Sequence, residues 1–410
     1  MNVSPNFSPP IKMMQPYFLL SAAFLLLSML ILLTLDPFVD VQSFELIGWV
    51  HLYMLGFVMM GIFSAMAQLG PIVVETQHYS VKIFNYLWIF LLLGLLFMML
   101  GFYYNVSFLL PGGTLVFLAM LIYATEFLLT LKNSRRKTSI TKAMKMSNFF
   151  LLLGIITGLV MAAAFSGYLS LNPHDILQVH TFGLVVGFVI LLIMGISIIL
   201  IPMFGSSARI SDNEFTKSFY TIALSVVIMM LSPFFYTPLL KNISYLLSIV
   251  AILLYFYQLY TMTSSRKRVK HDIWAKSMYV AFSSFSVAFI VLCYYLLSDS
   301  LVALKLGMWI LFIGFFSFVI IGNFYKIIPF LVWFHVYSPL IEERAVPMLH
   351  ELLDNRLAHL QWFYALMGLL LTSLAFIVQN RELFFGGVVL LSLSSLISFI
   401  IIIKILKVKI

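Results

Sequence analysis

The chain is 410 residues long, 62% hydrophobic and only 10% charged, with a mean hydropathy of +1.07. That composition excludes a water-soluble domain, in which about a quarter of the residues are charged; lipid must be the solvent. The formal net charge of +9 sits mostly in short segments between apolar runs, which reads as a topological signal and a contact for anionic membrane lipids rather than as nucleic-acid binding.

Apolar runs long enough to cross about 30 Å of hydrocarbon follow one another along the chain. The first six fall near 17–35, 46–70, 83–104, 113–132, 147–169 and 176–204. Six more fall near 216–236, 242–262, 276–297, 301–334, 360–379 and 383–404. All are expected to be helices, because open backbone cannot face lipid. The first run is too long for the apolar part of a secretory signal and no small-residue cleavage pattern follows before Asp36, so it reads as a retained span. With the N-terminus inside, "KNSRRKTSITKAMK" (132–145) and "RKRVKHDIWAK" (266–276) lie on the inner side. The outer loops then hold Lys241, Lys305 and Arg381, which leaves 21 of the 24 Lys and Arg residues inside. Such asymmetry predicts cytoplasmic N- and C-termini. The longest polar connection, about 335–359, leads through leucines at 349, 352, 353, 357 and 360; a short helix on the cytoplasmic membrane surface is expected there.

Three spans share one spacing: Gly, seven residues, Gly or Ser, six residues, Pro. It occurs at Gly56/Ser64/Pro71, Gly187/Gly195/Pro202 and Gly314/Gly322/Pro329. The prolines are 131 and 127 residues apart, and each interval contains four spans. Twelve transmembrane helices therefore divide into three four-helix blocks, about 1–132, 147–262 and 276–404, within a single transmembrane domain. Small residues at these intervals let helix backbones approach closely, and the proline marks the cytoplasmic end of each patterned helix. In a pseudo-threefold bundle, spans 2, 6 and 10 would stand around the middle. His51 and His180 lie five and seven residues before their repeat glycines and enter from the outer face at similar depth. The corresponding positions of span 10 are Trp309 and Gly307.

"HLYMLGFVMMGIFSAMAQLGP" (51–71), "HTFGLVVGFVILLIMGISIILIP" (180–202) and "GMWILFIGFFSFVIIGNFYKIIP" (307–329) carry a resemblance to subunit I of the heme–copper oxidase superfamily. The cbb-type branch and its small relatives are most similar, and the nitric-oxide-response twelve-span membrane proteins are similar more loosely. The resemblance implies a bacterial-type inner-membrane protein with heme b and copper as cofactors and respiratory or redox membrane partners. It makes His51 the counterpart of the helix-2 heme ligand and His180 the approximate counterpart of the helix-6 copper ligand. Two departures stand out. The family's His-x-His on helix 10 is Gly307-Met308-Trp309 here, and residues 216–240 contain no histidine to match the helix-7 pair. Oxygen reduction is accordingly not expected. Electron transfer, gas or redox sensing, and support of a respiratory complex remain, with a small-solute transporter or a cofactor-free scaffold as alternatives.

Glu126, in "LIYATEFLLTLK", is the clearest carboxylate inside a span, and intramembrane charges are costly and often functional. It is expected to be protonated or hydrogen-bonded near the inner interface, six residues from Lys132. Tyr53 is a candidate partner for His51, whose neutral ring needs both a donor and an acceptor. Lys326, three residues before Pro329, is expected to snorkel to the headgroups. His350, Glu351, Asp354 and His359 do not share one helical face and read as a solvated surface. His335 belongs with Trp333 to an interfacial belt, Asp175 is expected to cap the helix after His174, and His78 and His271 fall in charged inner loops. Met54, Met59, Met60 and Met66 on span 2, with Met194 and Met203 on span 6, suit copper(I) chemically but read as apolar packing. Cys293, the single cysteine, excludes an intramolecular disulfide and reads as small apolar filler. No phosphate-binding glycine loop, nucleophile elbow or zinc motif is present.

Overall fold

A computed structural model of the chain describes residues 9–134, 137–235, 238–266 and 271–407. The chain is 84% helical, with no strand among the described residues. In chain order the apolar helices are α1 (Ile11–Ile31), α2 (Phe44–Val74), α3 (Leu87–Tyr103), α4 (Val106–Lys132), α5 (Ser139–Phe165) and α6 (His174–Gly205). They continue as α7 (Asp212–Phe235), α8 (Pro238–Ser264), α9 (Ile273–Ser298), α10 (Leu301–Leu340), α11 (Asn355–Val378) and α12 (Arg381–Leu406). Eleven are long and apolar enough to cross a membrane, while α3 is a shorter apolar helix of 17 residues. This is an integral membrane protein built of helices.

Local chemistry sets the helix ends. Thr138 Oγ1 accepts from the Thr141 backbone N–H, so α5 starts at Ser139 and converts much of the expected 132–145 loop into helix. Arg135, Arg136 and the 267–270 basic stretch lie outside the described residues. Asp272, Asp354 and Asn380 cap α9, α11 and α12 in the same way. Ser211 and Glu214 form a reciprocal capping box at the start of α7. Asn172, rather than Asp175, accepts from the His174 backbone N–H at the start of α6, and Asp175 occupies the first turn.

Two expected elements differ. Helix α1 begins at Ile11 and ends at Ile31, earlier than the 17–35 apolar run. It accommodates Pro16 near its start, and the Thr34 hydroxyl donates to the Ile31 carbonyl just beyond its end. The expected surface helix over the leucines at 349–360 does not form. Leu349–Glu351 is a single 3₁₀ turn, closed by Glu351 accepting from the Met348 N–H, and the Asp354 cap then starts α11. Leu349, Leu352 and Leu353 are thereby separated from Leu357 and Leu360, which belong to α11.

The three patterned helices are the most enclosed. The apolar windows of α2, α6 and α10 are 89%, 72% and 72% buried, whereas no other long helix exceeds 50%. Each also contains a π-helical stretch: Leu52–Met59, Gly183–Ile190 and Ile310–Phe316. Gly56, Gly187 and Gly314 each lie four residues after the first residue of that stretch. A π turn is uncommon and needs compensation from its surroundings, so its recurrence at one register makes the repeat structural as well as textual.

Packing repeats too. Each repeat glycine meets the first helix of its own block. A Cβ on Gly56 would lie 2.5 Å from Phe24 Cγ of α1, on Gly187 3.0 Å from Phe150 Cβ of α5, and on Gly314 2.6 Å from Ser284 Cβ of α9. The last two helices of each block cross through small residues. A Cβ on Gly112 would lie 2.6 Å from the Met98 nitrogen of α3, and one on Gly387 2.9 Å from the Thr372 nitrogen of α11. Between α7 and α8, Ser225 Oγ donates to the Ser244 carbonyl at 3.0 Å and Ser244 Oγ to the Ser225 carbonyl at 2.8 Å.

The chain folds as two compact units, Pro9–Ala67 with His271–Ile410, and Gln68–Lys270. In the first, α2 also packs on α10, where Gly61 faces Ile320 and Phe324.

Adjacent glycines of α12 give a matched test. Gly387→Val drives its side chain into α11, whereas nothing lies within 4 Å of a Cβ on Gly386. Gly387→Val should destabilise by about 1–3 kcal/mol, and Gly386→Val should be neutral, in thermal unfolding of the detergent-solubilised protein.

Candidate functional site

Within the unit that holds α1, α2 as far as Ala67, and α9–α12, the sequence candidates His51 and Tyr53 lie at the start of the α2 π stretch. Tyr53 is fully buried, and its hydroxyl donates to the Phe312 carbonyl at 2.7 Å while meeting Ser317 Oγ at 2.8 Å. Phe312 lies in the α10 π stretch, where i→i+4 bonding is interrupted. The Phe312 carbonyl also accepts from the Ser317 backbone N–H of its own helix, so the phenol is a second donor to it. Ser21 of α1 does the same for the π stretch of α2, donating to the Phe57 carbonyl at 2.8 Å.

An aromatic stack surrounds Tyr53. Trp309 stacks on Trp49 with centroids 5.8 Å apart, Trp49 on Tyr53 at 5.7 Å, and Tyr53 on Phe312 at 5.8 Å. Beyond it, Trp309 packs against Phe376 and Phe384, and its indole N–H donates to Thr372 Oγ1 at 2.8 Å. Trp309 immediately precedes the α10 π stretch, as His51 immediately precedes that of α2. It is thus the structural counterpart of His51, and its side chain is committed to packing.

His51 turns away from this stack. Trp49 and Tyr53 both face α10, and His51, two residues from each, is rotated about 200° from them. Its Nδ1 bonds the Ile47 carbonyl of its own helix at 2.8 Å, so the expected partnership with Tyr53 is replaced by a backbone bond one turn back. With Nδ1–H as donor, Nε2 carries the lone pair, the arrangement that metal-ligating histidines use. The half-buried His359 makes the same bond to the Asn355 carbonyl at 2.7 Å, so the geometry is compatible with ligation without being specific to it.

These residues do not fit a heme clamped between α2 and α10. Trp309 occupies the α10 position that matches His51, and stacked rings fill the face that α2 presents to α10. Heme b at His51 would need its second ligand on another face.

His180 belongs to the other unit. Its Nδ1 meets the Gly154 carbonyl of α5 at 3.0 Å and Thr157 Oγ1 at 3.4 Å. The ring lies over Gly158, where a Cβ would come within 2.7 Å of Cε1. Glycine is required for that close approach. No group of three His, Cys, Asp or Glu side chains able to hold a metal occurs among the described residues, so His180 does not have a three-ligand copper site around it there.

The same unit contains a polar site that the sequence indicated only by half. Glu126, on α4, is buried and accepts from His78 Nδ1 at 3.0 Å, Thr130 Oγ1 at 2.9 Å and the Ser80 backbone N–H at 3.3 Å. His78, expected in a charged loop, is itself buried and packs edge-on to Phe84. Forty-eight residues separate the pair in sequence, and nothing in the pattern "TQHYS" announces a turn inward.

Several other assignments change with their surroundings. Lys326 forms an ion pair with Asp272 at 2.8 Å instead of snorkelling freely. Glu351 and Asp354 are occupied as helix-cap acceptors. Met59, Met60, Met66 and Met194 are buried packing residues, while Met203 is exposed. Cys293 is only partly buried. Near Ser317, a cavity of about 30 Å³ is lined by Ser277, Gln361, Ser394 and Ser395 among apolar residues, room for one or two waters.

Tyr53→Phe keeps the ring stack but removes the donor to Phe312. It should cost about 1–3 kcal/mol, with faster amide exchange concentrated over 310–317 and little change in α11 and α12.

No protein-family model matches the chain, and no curated protein matches it.

Proposed function

We propose that the chain is a subunit-I-like protein of a bacterial-type inner membrane, with twelve spans in a pseudo-threefold bundle and both termini cytoplasmic, that supports a respiratory or redox membrane complex without reducing oxygen. The observation that carries this reading is Trp309. It stands where the resemblance requires a heme or copper ligand, and it is stacked on Trp49, packed at a tilt against Phe376 and Phe384, and hydrogen-bonded to Thr372. The recurrent π stretches and glycine contacts support the three-block architecture beneath it.

In this reading His51 is the residue through which a single heme b would attach, and His180 the one through which copper would. Each contributes one imidazole, and neither residue supplies the ligand set of an oxygen-reducing centre.

Purified protein given a reduced electron donor should consume no oxygen above background; sustained turnover would overturn the reading. An absorption spectrum and metal analysis of the same sample separate its variants. A Soret band lost in His51→Ala assigns heme to that residue, whereas no cofactor after expression with added heme leaves the scaffold role. Topology is checked separately by reporter fusions, which should read cytoplasmic within 132–145 and 266–276 and external near 172 and 300.

A further inference from the structure

The cavity beside Ser317 lies within one unit of the fold, where α1, α9, α10, α11 and α12 meet. Five of its twelve lining residues are polar: Ser277, Ser317, Gln361, Ser394 and Ser395. That share is high for helices that cross hydrocarbon, where a polar group is costly unless it is hydrogen-bonded. Ser317 is half-buried and the other eleven are buried, so the space lies inside the helix bundle.

The hydroxyl hydrogens around it are already committed. Ser277 Oγ donates to the Ile273 carbonyl at 2.9 Å, Ser394 Oγ to the Gln361 carbonyl at 3.0 Å and Ser395 Oγ to the Ser392 carbonyl at 2.9 Å. Tyr53 gives its one hydrogen to the Phe312 carbonyl, so Ser317 is the donor in its contact with Tyr53. The Gln361 side chain accepts from the Tyr325 hydroxyl at 3.1 Å and donates to Ser394 Oγ at 2.8 Å. What the chamber offers an occupant is therefore mainly oxygen lone pairs. The occupant must bring its own O–H or N–H hydrogens, which excludes an anion. A cation would add a charge that no carboxylate in the lining offsets. The volume of about 30 Å³ matches two water molecules at roughly 10–15 Å³ each. Polar cavities of this size hold water, whereas apolar ones stay dry.

We infer that the chamber is a binding site for a pair of water molecules, which donate to the serine oxygens of α9, α10 and α12. The pair links Ser317, whose backbone N–H closes the α10 π stretch, to the Gln361–Ser394 contact that fastens α11 to α12. The inference stands apart from the proposed respiratory role and uses neither His51 nor His180.

Radiolytic footprinting of the full-length protein in lipid nanodiscs tests it. X-rays generate hydroxyl radicals from bound water in place, and a methionine beside such water is oxidised even where bulk solvent does not reach. Met29 lines the chamber and is 2% exposed, while Met60 and Met194 are fully buried and lie outside the lining. Met29 should be oxidised several-fold faster than either. Ser395→Val, which places two methyl groups in the chamber, should bring Met29 down to the rate of Met60. Equal rates for the three methionines in the wild type would overturn the proposal, as would a fast Met29 that the filling variant leaves unchanged. Should Ser395→Val fail to accumulate, Ala365→Val fills the chamber from α11 without altering a hydroxyl and supplies the same comparison.

Discussion

A backbone carbonyl inside a bilayer has no water to bond, and leaving it unserved costs several kcal/mol. A regular helix meets that constraint by itself, and the π stretches meet it in an altered register, with Met60 N–H donating to the Phe57 carbonyl and Ser317 N–H to the Phe312 carbonyl. At both stretches a neighbouring helix adds a second, side-chain donor to the same carbonyl. Ser21 donates to Phe57 and Tyr53 donates to Phe312, so α1, α2 and α10 are joined at the points where two of them depart from α geometry. The repeat glycines belong to the same solution. They bring the irregular helices close enough to their neighbours for short side chains such as serine to reach across. Glycine spacing, π register and side-chain donors are thus one arrangement.

Much of that arrangement was legible in the sequence. The twelve apolar runs each fall on a helix, because a long stretch without charge has few alternatives in lipid. Gly56, Gly187 and Gly314 were recognisable as contact points, since helix-packing glycines recur at fixed spacing. Helix ends were less legible. Thr138 extends α5 into a stretch whose basic residues suggested a loop, and Asp354 starts α11 only after Leu352 and Leu353. In both cases one hydrogen-bond acceptor outweighs the hydropathy of several neighbours, a local effect that averaging over a window conceals.

The polar sites were harder to read for a different reason. Glu126 could be singled out because a carboxylate within an apolar run is conspicuous. His78 could not, since a histidine beside Gln77 and Tyr79 resembles any residue of a polar connection. Its inward turn follows from the path of the 75–86 connection over α4, where Tyr79 N–H donates to Thr130 Oγ1 and Ser80 N–H to Glu126. The donors that hold this connection down are backbone groups, and a sequence does not display where those point. His51 illustrates the converse. Its position was evident, but its direction depends on Trp49 and Tyr53 claiming the face toward α10.

Trp309 shows how one residue can fill a helix interface. At the position matching His51, a histidine could direct a lone pair toward a metal between α2 and α10. An indole offers no such lone pair, only a donor N–H, and Thr372 accepts it. The ring's area is then covered by Trp49, Phe376 and Phe384, a set of contacts that contributes to stability only while the space remains filled with side chains. Opening a cofactor cleft there would require displacing four aromatic residues and leaving the Thr372 hydroxyl without its donor. Replacing Trp309 with histidine alone would accordingly leave a void lined by the remaining rings, because Trp49, Tyr53 and Phe312 fill the space between α2 and α10 together with the indole.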